Sequence, residues 1–337
     1  MTGRDVVLAC LRGEPAQRPA VLCPGGMMSM AVTEVMDAAS APWPAAHSDV
    51  SLMVALAAAM HTASGFDNVA APFCMTVEAE AFGAQVAMGD RTSQPRVLMP
   101  VLPDDGSGAL PEPDWHAGRA GVLLEALHTL AERCPDAAVI GNLVGPFSLL
   151  GMLADPLMVL RWTRRRPEMA AGHLEAITGH MEHFAAEQVR AGAHAICIAD
   201  PTATGEILGG ALFRRFALPY VNRLVRSVHE AGAPAIVHIC GDVARLGDEL
   251  LALEADAVSF DSMVDLRAMA ARRPPWRVMG NVSAFLLERG PADRVERQCR
   301  QLAGSGVRLL APACGLVPTT PVAHLLAMRR AANAGQD

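Results

Sequence analysis

Ile236-Val237-His238-Ile239-Cys240-Gly241-Asp242 ends an apolar run with a histidine and a cysteine two residues apart. On a β-strand, residues i and i+2 point to the same side. His238 and Cys240 then stand together, an imidazole and a thiol aimed at one point, and Gly241 ends the strand behind them. That is half of a zinc site, whose usual donors are histidine nitrogen and cysteine sulfur. Far downstream, Ala311-Pro312-Ala313-Cys314-Gly315 repeats the form: an apolar run, a cysteine, a glycine. His238, Cys240 and Cys314 together would hold a zinc ion with one position open. The competing reading places all three in the core, because free cysteine is among the most buried residue types.

Outward from that stretch, short apolar runs alternate with helical ones. Strands are expected at 19–23, 68–72, 138–142, 195–199, 234–240, 257–260, 277–280 and 308–312. Helices are expected at 4–13, 49–64, 118–133, 155–165, 167–191, 211–231, 243–253, 265–271, 291–304 and 320–334. Asp49 is placed as a helix cap and Pro167 as a helix start. The stretch 100–113, rich in Pro, Gly and Asp, reads as a loop excursion within one domain spanning 1–337.

Alternation of this kind implies a parallel sheet. Eight repeats without a glycine-rich dinucleotide fingerprint favour a closed (β/α)8 barrel of the TIM type, in the α/β class, with the first helix as an N-terminal extension. Functional side chains then belong at the C-terminal ends of the strands. The polar or metal-capable residues there are Cys23, Cys74, Asn142, Asp200, His238, Cys240, Asp261, Asn281 and Cys314. Aspartate and asparagine after a strand also serve as plain turn formers. His238 and Cys240 lie on the fifth strand and Cys314 follows the eighth, so they meet only by reaching over the mouth. A narrow eight-stranded mouth allows that.

Composition narrows the chemistry. Of the 337 residues, 51% are hydrophobic but only 4% aromatic, so the core is aliphatic and draws on 18 methionines. A net charge of −7 gives no footprint for nucleic acid or an anionic membrane. No apolar run reaches the roughly 18 residues of a membrane span. The N-terminus shows no signal-peptide pattern, and a cytoplasmic protein is expected. All 28 basic residues are arginine. A Schiff-base lysine, a lysine-linked pyridoxal cofactor and a phosphate-loop lysine are therefore excluded. The 8 cysteines are scattered without a CxxC pair, which suits free thiols and metal ligands better than disulfides.

These residues together resemble the uroporphyrinogen decarboxylase superfamily, in particular its branch of zinc-dependent methylcobamide:thiol methyltransferases of the coenzyme M type. The resemblance runs through Cys23-Pro24-Gly25-Gly26-Met27-Met28, Pro72-Phe73-Cys74-Met75-Thr76-Val77-Glu78-Ala79-Glu80, Gly145-Pro146-Phe147, Phe216-Ala217-Leu218-Pro219-Tyr220, His238-Ile239-Cys240-Gly241 and Ala311-Pro312-Ala313-Cys314-Gly315. The family's HxC motif followed at a distance by a cysteine falls on His238, Cys240 and Cys314. The resemblance argues against the decarboxylase itself, which carries an arginine-rich segment near its N-terminus to grip porphyrinogen carboxylates. Here that stretch reads Pro24-Gly25-Gly26-Met27-Met28-Ser29-Met30, without an arginine.

The resemblance implies transfer of a methyl group from a methylated corrinoid to a zinc-activated thiol such as coenzyme M. The chain lacks the Asp-x-His-x-x-Gly signature of corrinoid carriers, so the methylcobamide would arrive on a partner corrinoid protein. Met27, Met28 and Met75 (with Met30 close by) are expected near the mouth as an apolar floor for the flat ring, with Asn281 beside them. Glu78 is expected as a fourth metal ligand or as the partner that orients His238, and Asp200 and Asp261 are the other acids for such roles. Alternative acceptors are homocysteine, another small thiol or a folate. A non-catalytic, zinc-holding partner of a corrinoid protein is the reading from a different class. The sequence carries no signal for an oligomeric state.

Overall fold

Twelve barrel residues, small or aliphatic at most positions, fill the centre of the molecule: Ala20, Leu22, Ala70, Ala138, Ile140, Ala195, Cys197, Ile236, Ala257, Met279, Leu309 and Ala311. They recur at a period of two, as the inward face of a strand requires. The structure, a computed structural model, describes residues 1–334. Its strands are β1 (Ala20–Val21), β2 (Asn68–Ala70), β3 (Gln85–Ala87), β4 (Arg96–Met99), β5 (Ala138–Val144), β6 (Ala195–Ala199), β7 (Ala235–Ile239), β8 (Ala257–Phe260), β9 (Arg277–Met279) and β10 (Leu309–Leu310).

Eight of them form one parallel sheet in the order β1-β10-β9-β8-β7-β6-β5-β2. The sheet curls into a nearly closed barrel ringed by helices. The remaining gap, between β1 and β2, is bridged by hydrogen bonds from Asp67 and Asn68. Asp67 accepts from Val21 N at 2.8 Å and its own N–H donates to Val21 O at 2.7 Å. Asn68 accepts from Cys23 N at 3.0 Å and donates to Cys23 O at 2.7 Å. The helix Gly3–Arg12 plugs the lower end, with Val6, Val7, Cys10 and Leu11 packed under the inner face.

The helix Gly118–Arg133 and the strands β6 and β8 fall where the pattern puts them. Asp49 caps the helix Val50–Ser64, accepting from Leu52 N. The stretch 100–113 runs without helix or strand. Elsewhere the structure differs. The expected helix 211–231 divides into Gly209–Phe216 and Leu218–Glu230, with Ala217 at φ −121° between them. Pro219 lacks the N–H that a continuous helix needs there. The expected helix 243–253 is a 3-10 helix, Ala244–Ala252, broken at Gly247, whose φ is +60°. The antiparallel hairpin β3–β4 and the helices Pro146–Leu153 and Ala284–Arg289 are additional to the expected set.

Candidate metal centre

His238 stands one inward step above Ile236, and Ser259 one inward step above Ala257. The two are strand partners at the same level of β7 and β8, so their side chains point to the same side and meet. His238 Nδ1 lies 3.0 Å from Ser259 Oγ, and Ser259 Oγ lies 3.6 Å from Met28 Sδ. With the serine hydroxyl donating to sulfur, its oxygen accepts the Nδ1 proton. That tautomer leaves the Nε2 lone pair free, and Nε2 lies 3.1 Å from Cys240 Sγ.

Cys240 is one residue beyond β7. Gly241, at φ +68°, turns the chain away, and its N–H donates to Asp261 Oδ2 at 3.4 Å. The reach from Cys314 is explained by the path taken after β10. Pro312 bridges to Val282, and Ala313 N donates to Val282 O at 2.8 Å. Leu316 N then donates to Ser29 O at 2.9 Å. Gly315 lies so close to the Met27–Ser29 turn that a Cβ there would stand 2.7 Å from Met27 O. Clamped on both sides, Cys314 leans over the mouth, and its Sγ comes 3.6 Å from Cys240 Sγ.

The ligand atoms of His238, Cys240 and Cys314 lie within 4.8 Å of one another. His238 is fully buried and the cysteines are half-buried, so the cluster opens upward, out of the barrel. The two thiols titrate as a pair. The Cys240 hydrogen bond, then His238, holds the Cys314 thiol well below its usual range, and the same Cys314 contact pushes Cys240 up. The donor set of two sulfurs and one nitrogen, with the imidazole already oriented from behind, fits a tetrahedral zinc ion that keeps one position open.

The other expected residues divide. Glu78 does not touch His238; its Oε1 accepts from Val144 N at 2.8 Å, and burial pushes its carboxyl up to about 7. The orienting contact belongs to Ser259. Asp200 accepts from Ser148 N at 2.9 Å and from Ser148 Oγ at 2.5 Å, capping the helix Pro146–Leu153, and burial pushes it up to about 6. Asp261 is bonded to the turn that carries Cys240 and also accepts from Met263 N at 3.2 Å. Asn281 is buried. Its amide donates to Asp261 O at 2.7 Å and to Val264 O at 2.8 Å, tying the end of β9 to the loop after β8. Met28 is fully buried, behind Ser259, and so forms no floor; Met27 and Met75 are partly exposed and line a common cavity.

Ser259 was absent from the expected set although the period of two along Ala257-Val258-Ser259 points to it. Three further residues lack any sequence signal: Ile207, Met263 and Phe285 are exposed apolar side chains in the segments after β6, β8 and β9. Arg119, buried, sits with Nη1 3.4 Å from Cys74 Sγ and Nη2 2.9 Å from Thr76 Oγ1, and also pairs with Glu80.

Similarity to known proteins agrees with this geometry. The chain is 31% identical over 331 residues to the methylcobamide:CoM methyltransferase MtbA of Methanosarcina acetivorans, covering 97% of this chain and 96% of that one. It is 31% identical over 335 residues to the methylcobamide:CoM methyltransferase MtaA of Methanosarcina barkeri, covering 96% and 95%. A solved methyltransferase from Methanosarcina mazei superposes with a TM-score of 0.93 at 29% identity, covering 100% of both chains. The family model of uroporphyrinogen decarboxylase (URO-D) matches residues 2–335, which is nearly the whole barrel with its His-Cys-Cys mouth. The chain therefore belongs to the uroporphyrinogen decarboxylase family.

Proposed function

We propose that this chain is a methyltransferase that moves a methyl group from a methylated corrinoid, carried on a partner protein, to a small thiol. The observation that carries the reading is the cluster of His238, Cys240 and Cys314 at the open end of the barrel. Relatives that match along almost the full length are named for methyl transfer to coenzyme M.

A zinc ion held by these three side chains would supply the positive charge that makes a thiol a thiolate at neutral pH. The chain's own residues set the rest. Ser259 fixes the imidazole, Asp261 holds the turn that carries Cys240, and the clamp on Gly315 sets Cys314. Ile207, Met263 and Phe285, with Met27 and Met75, offer apolar surface around the mouth to a wide flat ring. In the transfer, the thiolate sulfur attacks the methyl carbon and a carbon–sulfur bond forms. The carbon–cobalt bond breaks with its electron pair left on cobalt. The thiol proton goes to solvent. Decarboxylation of a porphyrinogen is disfavoured by the arginine-free stretch 24–30.

The test is zinc content measured together with thiol-dependent demethylation of methylcobalamin. About one zinc per chain is expected, with turnover faster than free zinc and thiol produce. A zinc-loaded protein no faster than that mixture refutes the proposal.

A further inference from the structure

A small cavity opens beside the end of β5, lined among others by Met27, Cys74, Met75, Glu78, Asn142 and Ala199. It measures about 180 Å³ in all, and most of that is space between atoms; the part open to a guest takes one water-sized group. Ala199 is the strand partner of His238, so the cavity lies one to two strand spacings, about 5–10 Å, from the metal cluster.

Asn142 and Glu78 bring acceptor oxygens to it, beside the Cys74 thiol. Asn142, buried, spends its amide protons on Pro24 O at 2.8 Å and Ala71 O at 3.0 Å, while its Oδ1 has no partner. Gly26, also in the lining, packs against that oxygen. Glu78, buried, has Oε1 on Val144 N. Among the described residues no arginine lines the cavity, and the nearby Arg119 is already bonded to Glu80, Cys74 and Thr76.

We propose that this cavity receives the tail of the acceptor thiol and that the tail carries an N–H donor, so the acceptor is an amino thiol and not a sulfonate. The inference rests on the methyl-transfer reading above. An ammonium is close to water in size, donates to Asn142 Oδ1, and above pH 7, where Glu78 is ionised, meets its carboxylate with opposite charge. A sulfonate is larger and brings three acceptor oxygens and a negative charge to a place that already holds acceptors. A chain of two to four carbons sets the nitrogen roughly 4–7 Å from the sulfur, which reaches the nearer part of that distance.

The experiment compares cysteamine, 2-mercaptoethanol and 2-mercaptoethanesulfonate as acceptors with the zinc-loaded protein and methylcobalamin. Each rate is divided by the rate of the same thiol with free zinc. Cysteamine is expected to exceed the sulfonate in kcat/KM by about tenfold or more, and E78Q to collapse that ratio. A sulfonate equal to or better than cysteamine overturns the inference while leaving methyl transfer standing. An unchanged ratio in E78Q overturns the assignment of Glu78. The wild-type ratio decides alone if E78Q does not fold. No turnover with any of the three thiols overturns the transfer reading and this inference with it.

Discussion

At the level of single residues, the geometry of the His238–Cys240–Cys314 cluster depends on a serine outside it. Ser259 Oγ holds His238 Nδ1 at 3.0 Å, and partners of this kind set both tautomer and ring angle. Ser259→Ala is expected to weaken zinc binding by about 10–100-fold while the barrel stays folded, measured by competition with a chromophoric chelator. Unchanged affinity would show that packing alone orients the ring. Glu78 gives a prediction about stability. Burial pushes it up to about 7 from an ordinary 4.5. Between those values the folded chain holds a proton that the unfolded chain has lost, so this group's contribution to stability falls as pH rises. The loss amounts to about 3 kcal/mol once pH has passed 7. Glu78→Gln has no such proton, so wild type should lose stability relative to it from pH 5 to pH 8 in urea unfolding. A constant difference between the two would refute this.

At the level of elements, the path after β10 does what strand order alone does not. Cys314 follows a strand three places from β7 in the sheet, and proximity comes from the clamp between Val282 and Ser29. Gly315→Ala would set a Cβ 2.7 Å from Met27 O, a backbone atom that cannot swing aside. The expected result is zinc affinity lowered by about tenfold or more. Gly172→Ala, in the helix Pro167–Arg190 with open space around it, should instead leave affinity unchanged and add about 0.5–1 kcal/mol of stability. Equal zinc affinity in Gly315→Ala and Gly172→Ala would remove the clamp from the explanation. The same contrast explains what the sequence discloses. The barrel and the three metal-capable residues are legible because period-two runs, glycine stops and the HxC spacing are local signals. The division at Ala217 and the hairpin β3–β4 escape, since they depend on Pro219 inside a helical pattern and on short half-exposed strands. The roles of Met28 and Asn281 escape for another reason. Both look like mouth residues by position, and only packing shows Met28 behind Ser259 and Asn281 bonded to Asp261 and Val264.

Across the whole molecule, the two ends of the barrel carry different duties. The lower end holds a buried ion cluster: Asp67 accepts from Arg18 at 2.6 and 2.7 Å and from Arg329 at 2.8 Å, besides fastening β1. It thereby joins the first strand, the second strand and the helix Val322–Asn333 near the chain's end. The upper end holds half-buried thiols and exposed apolar side chains, which add little to the core. In barrels of this type stability residues gather below and chemistry above, which makes the two separable by mutation. Asp67→Asn leaves Arg18 and Arg329 without their counter-charge and loosens the β1–β2 seam, for an expected loss of about 3 kcal/mol. The fraction that remains folded should still bind zinc with full stoichiometry. Cys314→Ser should do the reverse: zinc and turnover are lost, while unfolding of the metal-free chain shifts by less than about 1 kcal/mol. Denaturant unfolding of both variants in the presence of chelator, set beside zinc content of the folded fraction, measures the four quantities. If Asp67→Asn loses zinc in proportion to its stability, or Cys314→Ser unfolds as readily as Asp67→Asn, the two ends are one cooperative unit and the division of labour fails.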